Sequence, residues 1–168
     1  MLVGCVAIAA LGGGCGGSSS GDSPAGSESE LTRAEWAHRA DAICSVDHEE
    51  NAKRESEFEA LLRQGLTSPR RRDEAADLIR AAVPGVERET KAIAALFPPS
   101  AEATTTGTVV AELEATAKVD QRLAEALERG GAAELETIFK QAARNAAALE
   151  ALAQELDLQV CGRPEEAE

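Results

Sequence analysis

Three groups of helix-breaking residues divide the chain beyond residue 31 into four long segments. The breakers are Gly65 with Ser68-Pro69, the pair Pro98-Pro99, and the pair Gly130-Gly131. Glycine and proline at such positions end helices, and the segments between them repeat their apolar residues with a helical period. The pattern therefore predicts four helices of about 25–30 residues joined by short turns, which pack as an up-down four-helix bundle.

Composition supports an all-α fold. Aromatic residues make up 2% of the 168 residues, tyrosine is absent, and apolar residues make up 43%. Strands draw on aromatic and β-branched residues, whereas the alanine, leucine, glutamate and arginine that dominate here favour helices. The length is enough for one domain, which we place at residues 32–162.

The first two helices carry the most informative local signals. Thr32 and Glu35 form a capping box, and the first helix is expected to run to about Arg63 although residues 47–57 are almost entirely polar. The second helix spans about residues 69–96 and contains Pro84-Gly85. Because the apolar stripe keeps its phase across the proline, we expect one helix with a kink rather than two helices.

The last two helices are simpler. The third spans about residues 101–129, and the fourth spans about residues 132–156 with an unbroken apolar stripe that includes Ala142 and Ala146. A short extended tail, residues 158–161, follows. Beyond it we expect a disordered acidic tail at residues 163–168.

The N-terminus resembles a bacterial lipoprotein signal peptide. A short apolar run ends in Gly12-Gly13-Gly14-Cys15, and a glycine- and serine-rich tract follows. A run of this length is too short to span a bilayer. We therefore predict a signal peptide at residues 1–14, a lipid on Cys15, a flexible tether at residues 15–31, and a location on the outer face of the cytoplasmic membrane.

Other interpretations of the leader stay open. Two features depart from the usual pattern: Gly12 occupies the place where a leucine is expected, and no lysine or arginine precedes the apolar run. Leu2-Val3-Gly4-Cys5 fits the lipobox better but leaves only four residues of leader. A start upstream of Met1 would account for these departures. Cys5 is then an alternative lipid site to Cys15, which the glycine- and serine-rich tract after it favours. A plain secretory leader and a glycine-rich N-terminus that is not exported are the alternatives.

The two remaining cysteines, Cys44 and Cys161, predict a disulfide. An even number of cysteines left in an exported chain is typical of a bridge. Two free buried thiols and a metal site are the alternatives, although no nearby cysteine or histidine has metal-ligand spacing. The bridge would close a loop of more than a hundred residues, for which the chain-entropy model gives about 4–5 kcal/mol.

Charge excludes some partners. The net charge is −13 and the pI is about 4.6. Phosphate binding needs clustered lysine and arginine, so the composition argues against nucleic acid and against a surface held on anionic lipid. The short basic run Arg70-Arg71-Arg72 is interpreted as a solvated face.

We find no catalytic set, cofactor motif or metal cluster in the sequence. Glu35 and His38 have the spacing of one half of a di-iron motif, but no second Glu-x-x-His exists, and His48 is the only other histidine. Asp120 and Asp47 lie on apolar stripes, where an acid is costly unless it is paired. They indicate a polar ligand pocket, a buried salt bridge or network, or a stripe that turns out to solvent.

Three short motifs carry a family resemblance. They are the stretch from Leu31 through Trp36 to Cys44, the run Leu96-Phe97-Pro98-Pro99, and the closing Leu158-Gln159-Val160-Cys161-Gly162. Over about residues 31–162 the chain is similar to uncharacterised exported helical lipoproteins of high-GC Gram-positive bacteria, which share a cysteine in the first helix and a Val-Cys-Gly near the C-terminus. The resemblance implies a helical domain bridged by Cys44 and Cys161, and implies no activity.

Two functional hypotheses follow. The first is a non-enzymatic, membrane-anchored interaction or scaffold module of the cell envelope, with an envelope protein as its partner. The second is a helical bundle that binds a small molecule or cation in a polar pocket near Asp120 and Asp47.

Overall fold

The computed structural model describes residues 30–162, and all regular secondary structure in this range is helical. The predicted signal peptide, the tether, both candidate lipid cysteines and the predicted acidic tail lie outside the described residues, apart from the tether's last two positions. The five α-helices are α1 (Arg33–Cys44), α2 (His48–Gln64), α3 (Pro69–Ala94), α4 (Ala103–Arg129) and α5 (Ala132–Leu156).

The predicted first helix is two helices, so the prediction of one continuous helix to Arg63 was wrong. The capping box of Thr32 and Glu35 does begin α1 as expected. At the other end the Ser45 backbone N–H and hydroxyl both donate to the carbonyl of Asp41, which closes the last turn. The polar segment that follows has no apolar stripe to continue α1 along the core, and α2 buries no residue at all.

The other boundaries are close to the predicted ones. Helix α3 is a single helix that contains Pro84, as predicted, and it ends at Ala94, so that Phe97 is 55% exposed instead of extending the stripe. A 3-10 turn, Ser100–Glu102, leads into α4. Gly130 ends α4 with a φ of 74°, a left-handed conformation that favours glycine.

The apolar side chains form two separate clusters. The α1 core surrounds Trp36, which is 1% exposed, and the α2 core lies under Phe58 and Leu61 of α2. The α1 core consists of Trp36, Ala37, Ala40, Ile93, Val109, Leu113, Leu149, Ala153, Leu156, Leu158 and Cys161. The α2 core consists of Ala75, Ala76, Val119, Leu123, Ala124, Ala126, Leu127 and Ile138. Helices α3, α4 and α5 contribute to both clusters, whereas α1 and α2 each contribute to one.

The predicted disulfide between Cys44 and Cys161 is present, with the two Cα atoms 5.4 Å apart. The tail that carries Cys161 was predicted to be extended, and this prediction was wrong: the tail forms bends and a turn. The reason is Asp41, whose carboxylate accepts the backbone N–H groups of Gln159, Val160 and Cys161 at 2.8–3.0 Å. Three successive N–H groups can point at one carboxylate only if the backbone curls around it.

None of the helices between residues 30 and 162 combines the length and the hydropathy that crossing a bilayer requires.

Candidate functional site

A cleft of about 610 Å³ opens between α2, α4 and α5, at the level where the first predicted helix is broken. We call it the waist cleft because it lies between the α1 core and the α2 core: Leu149 on one side belongs to the first, and Val119 on the other belongs to the second. Its lining residues are His48, Asn51, Ala52, Glu55, Thr116, Val119, Asp120, Ala142, Ala143, Ala146, Ala147, Leu149, Glu150 and Gly162.

The cleft stays open because few large apolar side chains line it: only Val119 and Leu149 are larger than alanine among the apolar lining residues. The α5 wall is a patch of four alanines at positions 142, 143, 146 and 147, and the α2 wall is mostly polar. Ala146, which the sequence placed on the buried stripe of α5, is exposed to the cleft. An alanine side chain is too short to reach a facing helix whose residues are mostly polar, so this stretch of the helical domain is not closely packed.

Asp120 is the most unusual side chain of the waist cleft. It is partly buried on α4, and no hydrogen bond or ion pair to it comes from any residue in the described range 30–162. Burial raises the pKa of the Asp120 carboxyl from 3.8 to about 6. At neutral pH this carboxylate is therefore mainly ionised, and no basic side chain within residues 30–162 forms an ion pair with it.

Other ionisable groups stand around Asp120. Glu55 and His48 lie on the α2 side of the cleft, and Glu150 lies on the α5 side, where it accepts a hydrogen bond from Gln154 at 3.3 Å. Among the described residues, no three histidine, cysteine, aspartate or glutamate side chains come together in a way that could hold a metal ion. The waist cleft is thus an anionic, alanine-walled site and not a metal centre of the described chain.

Asp47, the other predicted pocket residue, does not line the waist cleft. It occupies the N-cap position of α2 without a side-chain capping bond, and its carboxylate binds Arg88 of α3 at 2.6 Å. Space is tight there, since a Cβ on Gly85 would lie 3.2 Å from the Asp47 Oδ2 atom. Of the alternatives that the sequence left open, a salt bridge describes Asp47, and an acid in a pocket describes Asp120.

Glu89 is an unusual acid that the sequence analysis missed. Its Oε1 atom is buried and has no hydrogen-bond partner within residues 30–162. Burial, together with the nearby charge of Asp47, raises the pKa of the Glu89 carboxyl to about 7, although Arg88 acts in the opposite direction. The only sequence signal was its position beside Thr90 on the buried stripe of α3.

The remaining candidates have structural roles. Glu35 and Thr32 form both capping-box hydrogen bonds, and no group of three potential metal ligands in the described range includes Glu35 or His38. The basic run is not simply a solvated face: Arg71 donates to the carbonyls of Gln64 and Gly65. Arg72 donates to the carbonyls of residues 66 and 67, and Arg70 pairs with residue 74. Arg71 and Arg72 thus satisfy backbone carbonyls at and just after the end of α2.

Comparison with known proteins adds no assignment to this geometry: no protein-family model, no curated protein and no solved structure matches the chain.

Proposed function

We propose that this protein is a lipid-anchored, extracytoplasmic binding protein whose helical domain holds a small ligand in the waist cleft. The observation that carries the proposal is Asp120, an ionised carboxylate that is partly buried in a cleft of about 610 Å³ and has no partner in the described chain. A group of this kind costs folding free energy. A site that binds a ligand through it accounts for its presence, whereas a purely structural role does not.

The location is proposed from the sequence. The apolar run before Cys15 and the glycine- and serine-rich tract after it favour a lipid anchor on the outer face of the cytoplasmic membrane. The bridge between Cys44 and Cys161 supports this proposal, because structural disulfides persist in oxidising compartments.

We also propose that the helices form an up-down bundle in which α1 and α2 together make the first arm. The two cores support this order: α4 supplies Val109 to the α1 core from its first half and Leu127 to the α2 core from its second half. Helices α3 and α5 contribute to the two cores in the opposite order along the chain, as antiparallel neighbours do. A kink in α3 at Pro84 belongs to the same proposal.

A binding role is proposed as non-enzymatic, and it takes precedence over the scaffold hypothesis. The large apolar side chains that the described surface exposes are Val46, Leu62 and Phe97, which lie on three different segments. Scattered apolar residues are normal on a protein surface and do not indicate a partner. The waist cleft gives ligand binding a specific place, and an envelope protein partner remains a prediction from the sequence.

Filling the cleft tests the proposal. Ala146→Trp would place an indole in the waist cleft, and Ala151→Trp on the same helix is the matched control, because Ala151 is exposed and does not line the cleft. A fragment library of mixed charge is screened by ligand-observed NMR against all three proteins. We expect hits that bind the wild type and the Ala151 variant but not the Ala146 variant. Hits that bind all three alike, or no hits at all, would overturn the proposal.

A further inference from the structure

We propose that the waist cleft selects small organic cations, with the ammonium group of the ligand paired to Asp120 and its apolar body on the alanine wall of α5. This inference rests on the proposed function, since it names the ligand class of the same cleft. Three features of the lining support it. They are the sign of the charges, the lack of enough neighbouring carboxylates in the described lining to hold a metal ion, and the apolar character of the α5 wall.

The sign of the charges favours a cation. The ionisable groups of the lining are Asp120, Glu55, Glu150 and His48, and no lysine or arginine is among the lining residues of the described chain. A cleft lined by one sign of charge, with walls of low dielectric, concentrates ions of the opposite sign. The net charge of −13 acts in the same direction over a longer range.

The coordination chemistry favours an organic cation over a metal ion. Calcium takes six to eight oxygen ligands, and magnesium requires near-octahedral geometry. The described residues offer no group of three potential ligands at one point, and Glu150 is already bound to Gln154. A monovalent ammonium needs a single counter-ion, and Asp120 is a single carboxylate with no ion pair to any residue in the range 30–162.

The walls favour a ligand with an apolar body. Opposite Asp120, the α5 wall is formed by Ala142, Ala143, Ala146 and Ala147, whose side chains offer methyl groups and no hydrogen-bonding atoms. A hydrocarbon group laid on this wall would remove apolar surface from water and would also exclude water from the ion pair. Because an ion pair is stronger where water is excluded, the two contacts support each other.

Proton linkage gives the inference a second readout. An ammonium binds the ionised form of Asp120, whose carboxyl has a raised pKa of about 6 through burial. Lowering the pH from 7.5 to 5 therefore weakens binding as the carboxyl takes up a proton. The other groups that face the cleft are His48 and Glu55 from α2 and Glu150 from α5, and protonation of any of them also disfavours a cation.

The test uses three probes with one carbon skeleton: benzylamine, benzyl alcohol and benzoate. Their affinities for the full chain are measured by NMR titration at pH 7.5 and pH 5. We expect benzylamine to bind at pH 7.5 at least about tenfold more tightly than the alcohol, and benzoate not to bind. Asp120→Asn is expected to remove that preference while leaving the fold intact, and the Ala146→Trp variant to remove binding of all three.

The outcomes separate the inference from the proposed function. If benzyl alcohol binds the wild type and Asp120→Asn as well as benzylamine does, and only Ala146→Trp abolishes binding, the cleft is a binding site and the cation inference falls. If benzoate is preferred, the inference falls as well. If none of the probes binds and the fragment library also yields no hit at the cleft, both the inference and the proposed function fall.

Discussion

Helices α1 and α2 come from one stretch of sequence that predicts a single helix, yet the structure holds them in different ways. Helix α1 has three buried residues, Trp36, Ala37 and Ala40, and it ends in the disulfide to Cys161. Helix α2 is longer, 17 residues against 12, and buries none. The shorter helix therefore has the stronger attachment to the core.

The contrast shows what the break at residues 45–47 does. Upstream of it, the chain is fixed by a packed tryptophan, by the disulfide and by Asp41, which holds the C-terminal turn. Downstream of it, α2 packs against α3 through half-buried residues such as Phe58. The same helix forms one wall of the waist cleft. A wall without buried anchors is able to adjust to a ligand at low cost in free energy, which suits a binding site between two fixed cores.

The largest expected effect is on the α1 side, from removing the disulfide. The double variant Cys44→Ala, Cys161→Ala opens a link between residues 117 positions apart. The chain-entropy model predicts a loss of about 5 kcal/mol in the free energy of unfolding, measured by urea denaturation. Hydrogen exchange should show amides of α1 losing protection more than those of α2. Equal losses of protection in the two helices would contradict the view that α1 is held more firmly than α2. The control is the wild type treated with a reductant, which should show the same pattern.

The second effect compares packing in the two helices. Trp36→Ala removes a side chain that is 1% exposed and should cost about 3–5 kcal/mol through lost burial and a cavity. Leu62→Ala, in α2, removes a side chain that is 37% exposed and should change stability by less than about 0.5 kcal/mol. Thermal and urea unfolding of the two variants give the difference. A cost above about 2 kcal/mol for Leu62→Ala would show that α2 is held as firmly as α1.

The sequence predicted the all-helical class, the disulfide and most helix boundaries, because the signals for helices are local. The unbroken apolar stripe predicted the helix at residues 132–156, which is α5 in the structure. The capping box at Thr32 predicted the start of α1. The break after Cys44 was missed because residues on both sides of it are good helix formers. The break becomes apparent only in the structure, where the α5 surface around Ala142 and Ala146 offers small side chains for a helix to pack against at this level.

The candidate site was only half predictable for a similar reason. Asp120 stood out as an acid on an apolar stripe, and it does line a cleft. Asp47 gave the same signal, but its partner Arg88 is 41 residues away in the sequence. Glu89 gave almost no signal, since its burial depends on where the α1–α2 junction lies against α3. Pairing and burial between distant segments are set by tertiary packing, which one sequence does not show.

The third effect compares two aspartates that stand six positions apart. Asp41→Ala leaves three backbone N–H groups of the C-terminal turn without their acceptor and should cost about 2 kcal/mol. Asp47→Ala removes one ion pair with Arg88, whose side chain is 67% exposed, and should cost less than about 1 kcal/mol. Urea denaturation at pH 7 ranks the two. If Asp47→Ala cost more stability than Asp41→Ala, the ion pair at the α1–α2 junction would contribute more to stability than the hydrogen bonds of the C-terminal turn.

The smallest expected effect is an increase in stability, from a substitution of Glu89, which lies near the junction between α1 and α2. Because the pKa of Glu89 is raised to about 7, the folded state binds this proton more tightly than the unfolded chain does. The contribution of Glu89 therefore lowers stability as pH rises from about 4.5 to about 7, and the cost stays in place above pH 7. Glu89→Gln should raise the free energy of unfolding by about 1 kcal/mol at pH 8, after allowance for solvent screening of a half-exposed group, and by almost nothing at pH 4.5.

Asp47 decides whether this gain belongs to the junction. Its charge is the second cause of the raised pKa of Glu89, after burial. In an Asp47→Ala background, the gain from Glu89→Gln at pH 8 should therefore shrink, and the pKa of Glu89 followed by NMR should fall below 7. An unchanged gain would assign the whole effect to burial on α3.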